Sequence, residues 1–252
     1  MKIQIVGMGV VGTAQAYLIS QLGHEIVGID RGRPTSEIAR MAKEAEPDAD
    51  LTFICTQEAF VEEVVTDLVQ KKVKRPYVIK STVPSGTTLK LAKRFGIHIC
   101  HNPEFLREKT ALDDVTHPNM VVVGQCCPEH GNLLKALYSP LGCPVFITEP
   151  TVSETVKLTL NSYLATLISF WNEVDKISSA LGISTGEVAG IVKQNTRVSS
   201  YGTEFFGAPF GGKCLPKDLN QLIAVGHQAG IEPQLLEAIR DFNGTLKNAN
   251  TV

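Results

Sequence analysis

A chain of 252 residues has room for one large or two modest domains with a sizeable core. Its 24 Lys and Arg against 26 Asp and Glu leave a formal charge of -2, which offers no broad basic field to nucleic acid or to an anionic membrane. An anionic ligand must be met by local cations. No run of ~18 apolar residues and no apolar leader with a cleavage site is present, so a cytoplasmic protein with no membrane contact is expected.

Residues 1–149 alternate short β-branched runs with amphipathic stretches. The strand candidates are "KIQIV", "EIVGI", "LTFIC", "YVIK", "HIC", "MVVVG" and "PVFIT", and "EAFVEEVVTDLVQKKV" carries apolar residues at helical spacing. Such alternation predicts an α/β fold with a doubly wound, mostly parallel sheet of Rossmann type. Directly after the first run, "IVGMGVVG" sets Gly7, Gly9 and Gly12 in GxGxxG spacing, with Val10 and Val11 opening a helix. The glycines give a tight turn, close approach of a pyrophosphate and close helix packing, while the helix N-terminus faces the phosphates. The second run ends in Asp30, placed to bind an adenosine ribose and to repel a 2'-phosphate, which favours NAD over NADP. Arg31 and Arg33 follow at once and leave that preference less strict. Between Asp30 and "LTFIC" the length allows one helix and no additional strand.

From residue 150 to 252 the pattern is helix only. The first helix, residues 151–181, would be roughly 45 Å long, suited to crossing between domains or to a subunit interface. Glu154, Lys157 and Asn161 project from one face of it; an ammonium and an amide one turn apart can hold an oxyanion between them, or can be a solvated stripe. Ser184 and Glu187 form a capping-box pattern. Next comes the loop "FGAPFGGKCLPKDLN", in which Cys214 lies among cations and glycines, a setting that suits a thiolate, and then two further helices. The six cysteines (Cys55, Cys100, Cys126, Cys127, Cys143, Cys214) have no CxxC framework and the six histidines are scattered. Spacing therefore predicts free thiols in a reducing compartment and no metal site.

Five ordered motifs, the GxGxxG with its aspartate, "STVPSGTT", "NPEFLREKTALDD", "SETVKLTLNSYLA" with "NEV", and "FGGKCLPKD", resemble the UDP-glucose/GDP-mannose dehydrogenase family along essentially the whole chain. The resemblance implies an NAD-dependent, four-electron oxidation of a primary alcohol to a carboxylate, on a nucleotide-sugar of the UDP-glucose to UDP-glucuronate type or on a smaller nucleotide. It implies that Cys214 traps the aldehyde, that Lys157 and Asn161 stabilise the oxyanions, that Asp218 and Thr82 manage water, and that Glu104 and Glu108 serve hydrolysis and closure on the cofactor. Thr56, Thr82 and Glu108 join Gly7, Gly9, Val10, Val11, Gly12, Asp30 and Arg31 at the cofactor. Phe105, Leu106, Phe206, Phe210 and Gly211 join Glu104, Lys157 and Asn161 at the substrate, with Arg197 reaching the neighbouring subunit of a homodimer built on the long helix.

The departures bear on the substrate. Family members continue into a second Rossmann-like domain that holds much of the nucleotide, whereas this sequence ends at "NANTV". "FICTQEAF" stands where the family has a Val-x-Thr-Pro turn, and Met120 replaces an arginine. A two-electron dehydrogenase of 6-phosphogluconate or 3-hydroxyisobutyrate type, which needs no thiol, and a non-catalytic NAD-binding remnant are the alternatives.

Overall fold

The computed structural model describes residues 1–32, 35–74 and 76–246, so Arg33 falls outside the described residues. The chain divides into two compact units, Met1–Lys157 and Leu158–Val252.

Among the described residues the first unit has eight strands: β1 (Lys2–Val6), β2 (Glu25–Ile29), β3 (Arg40–Ala42), β4 (Leu51–Ile54), β5 (Tyr77–Ile79), β6 (Ile99–His101), β7 (Val121–Gly124) and β8 (Val145–Thr148). Their order across the sheet is β3-β2-β1-β4-β5-β6-β7-β8, and all neighbours are parallel except β6 and β7. Five helices serve this sheet: α1 (Val10–Gln21), α2 (Val61–Gln70), α3 (Thr87–Phe95), α4 (Ala111–Thr116) and α5 (Pro128–Tyr138).

Strand side chains alternate between faces, and here both faces are covered. Phe53, Val78 and Cys100 enter one core with Ala14, Leu18 and Leu134, whereas Ile54, Ile79 and Ile99 enter another with Val65, Leu68 and Leu91. Two buried faces explain why the strands read as continuous apolar runs. Between Asp30 and β4 there is no helix among the described residues. The three-residue β3 lies there instead, its Met41 registered on Gly28 of β2. A Cβ on Gly28 would come within 2.6 Å of the Met41 sulfur, so the glycine lets this edge strand seat.

α6 is one continuous helix, Pro150–Leu181, and the unit boundary falls inside it. The second unit continues with α7 (Thr185–Val192), α8 (Cys214–Gln228) and α9 (Gln234–Thr245). Ser184 caps α7 through its hydroxyl, which accepts from the Glu187 N–H, as the capping-box pattern predicts. Ala165, Ile168, Phe210, Leu219, Ile223 and Ile239 form the core of this unit. Cys214 is not in a loop: it is the first residue of α8.

Candidate active site

In the first unit, the strand order changes direction between β1 and β4, and the turns after these two strands frame a cavity of about 640 Å³. Gly7 has φ +94°, and a Cβ there would lie 2.8 Å from the Cys55 carbonyl oxygen; one on Gly12 would lie 1.8 Å from the Gly7 carbonyl oxygen. A Cβ on Gly9 would meet nothing within 4 Å, so open space adjoins the turn. Gly9 also starts α1, whose first turn has no side-chain cap and no acidic residue. Unpaired N–H groups of a helix start beside open space suit a pyrophosphate.

The Asp30 carboxylate accepts from the Met8 N–H (2.7 Å) and the Gly32 N–H (2.8 Å), which ties the end of β2 to the glycine turn. Asp30, Arg31 and Thr56 line the cavity, and the Thr56 hydroxyl is buried with no hydrogen-bond partner among the described residues. Arg31 is exposed and paired with Glu63 at 2.6 Å, so its charge is partly compensated. Val10 is exposed and Val11 half-buried beside the turn.

After β5 and β6 lie residues that the motif reading passed over. Lys80 is buried, donates to Asn102 Oδ1 (2.9 Å), and is brought down to about 8 by burial. Tyr138 also donates to Asn102 Oδ1 (2.5 Å), and Gln15 donates to the Tyr138 hydroxyl (3.1 Å). Ser81 donates to the Thr56 carbonyl (2.6 Å), joining the turns after β4 and β5. Thr82 is half-buried. Glu104 pairs with Lys157 (3.2 Å), accepts from the Leu106 N–H (2.6 Å), and brings Lys157 to the loop after β6, where its ammonium lies 5.6 Å from the Phe105 ring centroid. Arg107 grips Asp114 (2.6 Å) and holds its carboxyl down to about 2. Glu108 is exposed in the turn that follows.

Glu154 has a different task from the one its spacing suggests. Its carboxylate accepts from the N–H groups of Gly86 (2.5 Å) and Thr88 (2.7 Å) and from the Thr88 hydroxyl (2.6 Å), at the start of α3. An acid there satisfies orphan donors of a helix N-terminus, so it is no part of an oxyanion-binding face.

In the second unit, Asn161 donates to Asp218 Oδ2 (2.5 Å) and Lys217 pairs with Asp218 Oδ1 (2.6 Å). Asp218 is only 1% exposed, while Cys214, four residues earlier on α8, is exposed and in no disulfide. The chain leading to the cysteine is held by two asparagines, Asn172 of the "NEV" motif, to which the motif reading gave no role, and Asn243, which lies outside the motifs. Asn172 accepts from the Gly207 N–H (2.8 Å) and donates to the Ala208 carbonyl (2.7 Å). Asn243 accepts from the Phe210 N–H (2.8 Å) and donates to its carbonyl (3.1 Å). The Phe210 side chain is in the core, whereas Phe206 is half-buried and Gly211 exposed. Arg197 is exposed and donates to its neighbour Asn195 (3.2 Å).

A Rossmann sheet with an uncapped glycine turn, an acid at the end of β2 and Thr56 lining the same cavity is a dinucleotide-binding arrangement of the kind oxidoreductases use. The chain belongs to the UDP-glucose/GDP-mannose dehydrogenase family: the central-domain model of that family matches residues 151–245 and its NAD-binding-domain model matches residues 39–142. Its cofactor is NAD, as the family's NAD-binding domain and the dehydrogenase relatives establish. GDP-mannose 6-dehydrogenase of Pseudomonas aeruginosa is 28% identical over 299 aligned positions, covering 96% of this chain and 68% of that protein. UDP-glucose 6-dehydrogenase of Bacillus subtilis is 30% identical, with 96% and 66% covered. The solved UDP-glucose dehydrogenase of the archaeon Pyrobaculum islandicum superposes with a TM-score of 0.89 at 29% identity, covering 96% of this chain and 68% of its own. An alignment of 299 positions with a chain of 252 residues means that the Pseudomonas relative carries segments this chain lacks.

Proposed function

We propose that the protein oxidises a primary alcohol of a nucleotide-sugar to a carboxylate, with Cys214 as the covalent nucleophile. The overall change converts one alcohol, one water and two NAD⁺ into one carboxylate, two NADH and three protons. NAD held against the glycine turn supplies the hydride acceptor at each of the two oxidations. Between them, Cys214 Sγ adds to the aldehyde carbon to give a thiohemiacetal, whose oxidation leaves a thioester. Water then forms the new C–O bond, the C–S bond breaks, and the thiol is restored. Lys157 and Asn161 are assigned the oxyanions, Asp218 and Thr82 the water, and Glu104 and Glu108 hydrolysis and closure around the cofactor. Phe105, Leu106, Phe206 and Gly211 are assigned to the sugar.

The observation that supports this reading most is the placement of Cys214. An exposed thiol at the first residue of a 15-residue helix meets the positive end of the helix dipole, which favours the thiolate. Asp218 lies one turn further on, with its second oxygen engaged by Asn161. The test is to count NADH formed per substrate on a panel of UDP- and GDP-sugars, with the wild type and with Cys214→Ser. Two per substrate, with the acid lost in the variant, is the expected result. One per substrate, or full conversion to acid by Cys214→Ser, overturns the covalent mechanism.

A homodimer through α6 belongs to the same proposal. Tyr163, Phe170 and Ile177 are 52%, 58% and 56% exposed and recur every seven residues along the helix. That stripe is the kind of apolar surface an interface covers. Light scattering of wild type should give twice the chain mass, and Phe170→Glu should give a monomer; a monomeric wild type refutes the dimer.

A further inference from the structure

Spacing along the chain argues against a metal site, yet the fold assembles one set of soft ligands. His98, Cys126, Cys127 and His130 each offer one ligand atom, and these four atoms all lie within 4.8 Å of one another. The cause is the antiparallel pair in the sheet. His101 of β6 is registered on Gly124 of β7, so the residues just before β6 lie opposite those just after β7. Cys127 then starts α5, and His130 occupies its first turn.

We propose that these four residues form a structural site for Zn²⁺ or a similar borderline divalent metal. A tetrahedral Cys₂His₂ zinc centre has Zn–S of ~2.3 Å and Zn–N of ~2.0–2.1 Å, which sets ligand-to-ligand edges of about 3.4–3.8 Å. Cys126 Sγ lies 3.2 Å from His130 Nδ1 and 3.8 Å from His98 Nδ1, already close to those edges. The remaining separations, 4.8 Å at most, close with small side-chain rotations.

Donor chemistry agrees. Two thiols and two imidazoles, with no carboxylate in the set, are the ligands that select zinc over magnesium or calcium. Cys100 is buried behind the cluster with its Sγ 3.3 Å from Cys126 Sγ, placed to donate a weak hydrogen bond to a metal-bound thiolate. Binding would replace two S–H bonds by two metal–sulfur bonds and release two protons. The cluster is at the N-terminal end of β6, whereas the glycine turn follows the C-terminal end of β1, and the strands from β1 to β6 are parallel. The metal is therefore structural, fastening β6 to the β7–α5 turn at the end of the strands opposite the cofactor.

The test uses the whole purified chain, metal-free and kept reduced, titrated with Co²⁺ and then Zn²⁺. One equivalent should bind with the strong visible bands of tetrahedral cobalt and thiolate-to-cobalt charge transfer; zinc should bleach both and raise the melting temperature. His98→Ala, at an exposed position, and Cys126→Ser should each weaken binding at least tenfold. Cys214→Ser and His227→Ala should leave it unchanged, the latter testing the separate exposed group of His227, Glu232 and Glu237. Absence of thiolate charge transfer, equal affinity in His98→Ala and Cys126→Ser, or loss of the bands in Cys214→Ser would each refute the site. So would a Cys100–Cys126 disulfide that, once reduced, still leaves the chain unable to bind cobalt.

Discussion

Lys80 carries the sharpest stability prediction. Its ammonium is buried at the end of β5 and its pKa is depressed from 10.5 to about 8, chiefly by burial. A shift of that size corresponds to ~3 kcal/mol of unfavourable free energy when the group is charged. Lys80→Met keeps the length and removes the charge. Asn102 Oδ1 keeps its bond from Tyr138, so the substitution orphans no acceptor and loses one hydrogen bond, about 1 kcal/mol, while the thioether replaces the ammonium against the Phe53 and Tyr138 rings. The methionine variant should therefore be more stable than wild type by about 2 kcal/mol at pH 7. The sign with pH follows from proton counts. Below the folded pKa both states are protonated and the penalty is complete; between about 8 and 10.5 only the unfolded state holds the proton, so wild-type stability rises with pH. The advantage of the variant should shrink by roughly 2 kcal/mol between pH 7 and 9.5. Urea unfolding of both proteins at the two pH values measures this, and taking the difference removes other groups titrating in the window. A variant less stable than wild type at pH 7, or a difference that does not change with pH, would refute the reasoning. A buried cation kept at such a cost, close enough to Glu104 and Lys157 to feel both charges, marks a residue held for the site rather than for the fold.

His101 is held neutral, its pKa pushed down to about 3 mainly by burial, so the unfolded chain gains a proton first as pH falls below about 6.5. Stability should drop by ~2.5 kcal/mol between pH 7 and 4.5 from this residue, and His101→Gln should remove that part of the slope; an unchanged slope counts against the assignment. Gly12→Ala places a Cβ 1.8 Å from the Gly7 carbonyl oxygen, which forces the turn to move. Calorimetry should show NAD affinity at least ~10-fold lower, and binding at wild-type strength would mean the turn does not hold the cofactor.

Most of the sheet could be read from the chain because two covered faces demand apolar residues at most strand positions, with buried Gln4 and Thr52 bonded to each other as an exception. β3 escaped for the complementary reason: "RMA" has no pattern of its own and is a strand only because β2 offers it an edge and Gly28 a seat for Met41. The start of α8 was hidden by "GGKCLP", which reads as punctuation. Pro216 is the third residue of that helix, where its missing N–H would have had no intrahelical acceptor in any case. A proline therefore marks this helix start, and the cysteine moves from a flexible loop to a helix N-terminus.

The residues to which no motif gave a role have one property in common: each acts on backbone or on another side chain far along the sequence. Asn172 and Asn243 hold Gly207, Ala208 and Phe210 by main-chain groups alone, so the course of the loop before Cys214 is set by residues 35 and 33 positions away. The same logic applies to His98 and Cys126, 28 residues apart and joined by an antiparallel pairing that local spacing cannot encode. Sequence spacing finds chemistry carried on one helix or one turn, such as Gly7 to Gly12 or Cys214 to Asp218. Chemistry assembled by strand order becomes visible only once the sheet is known.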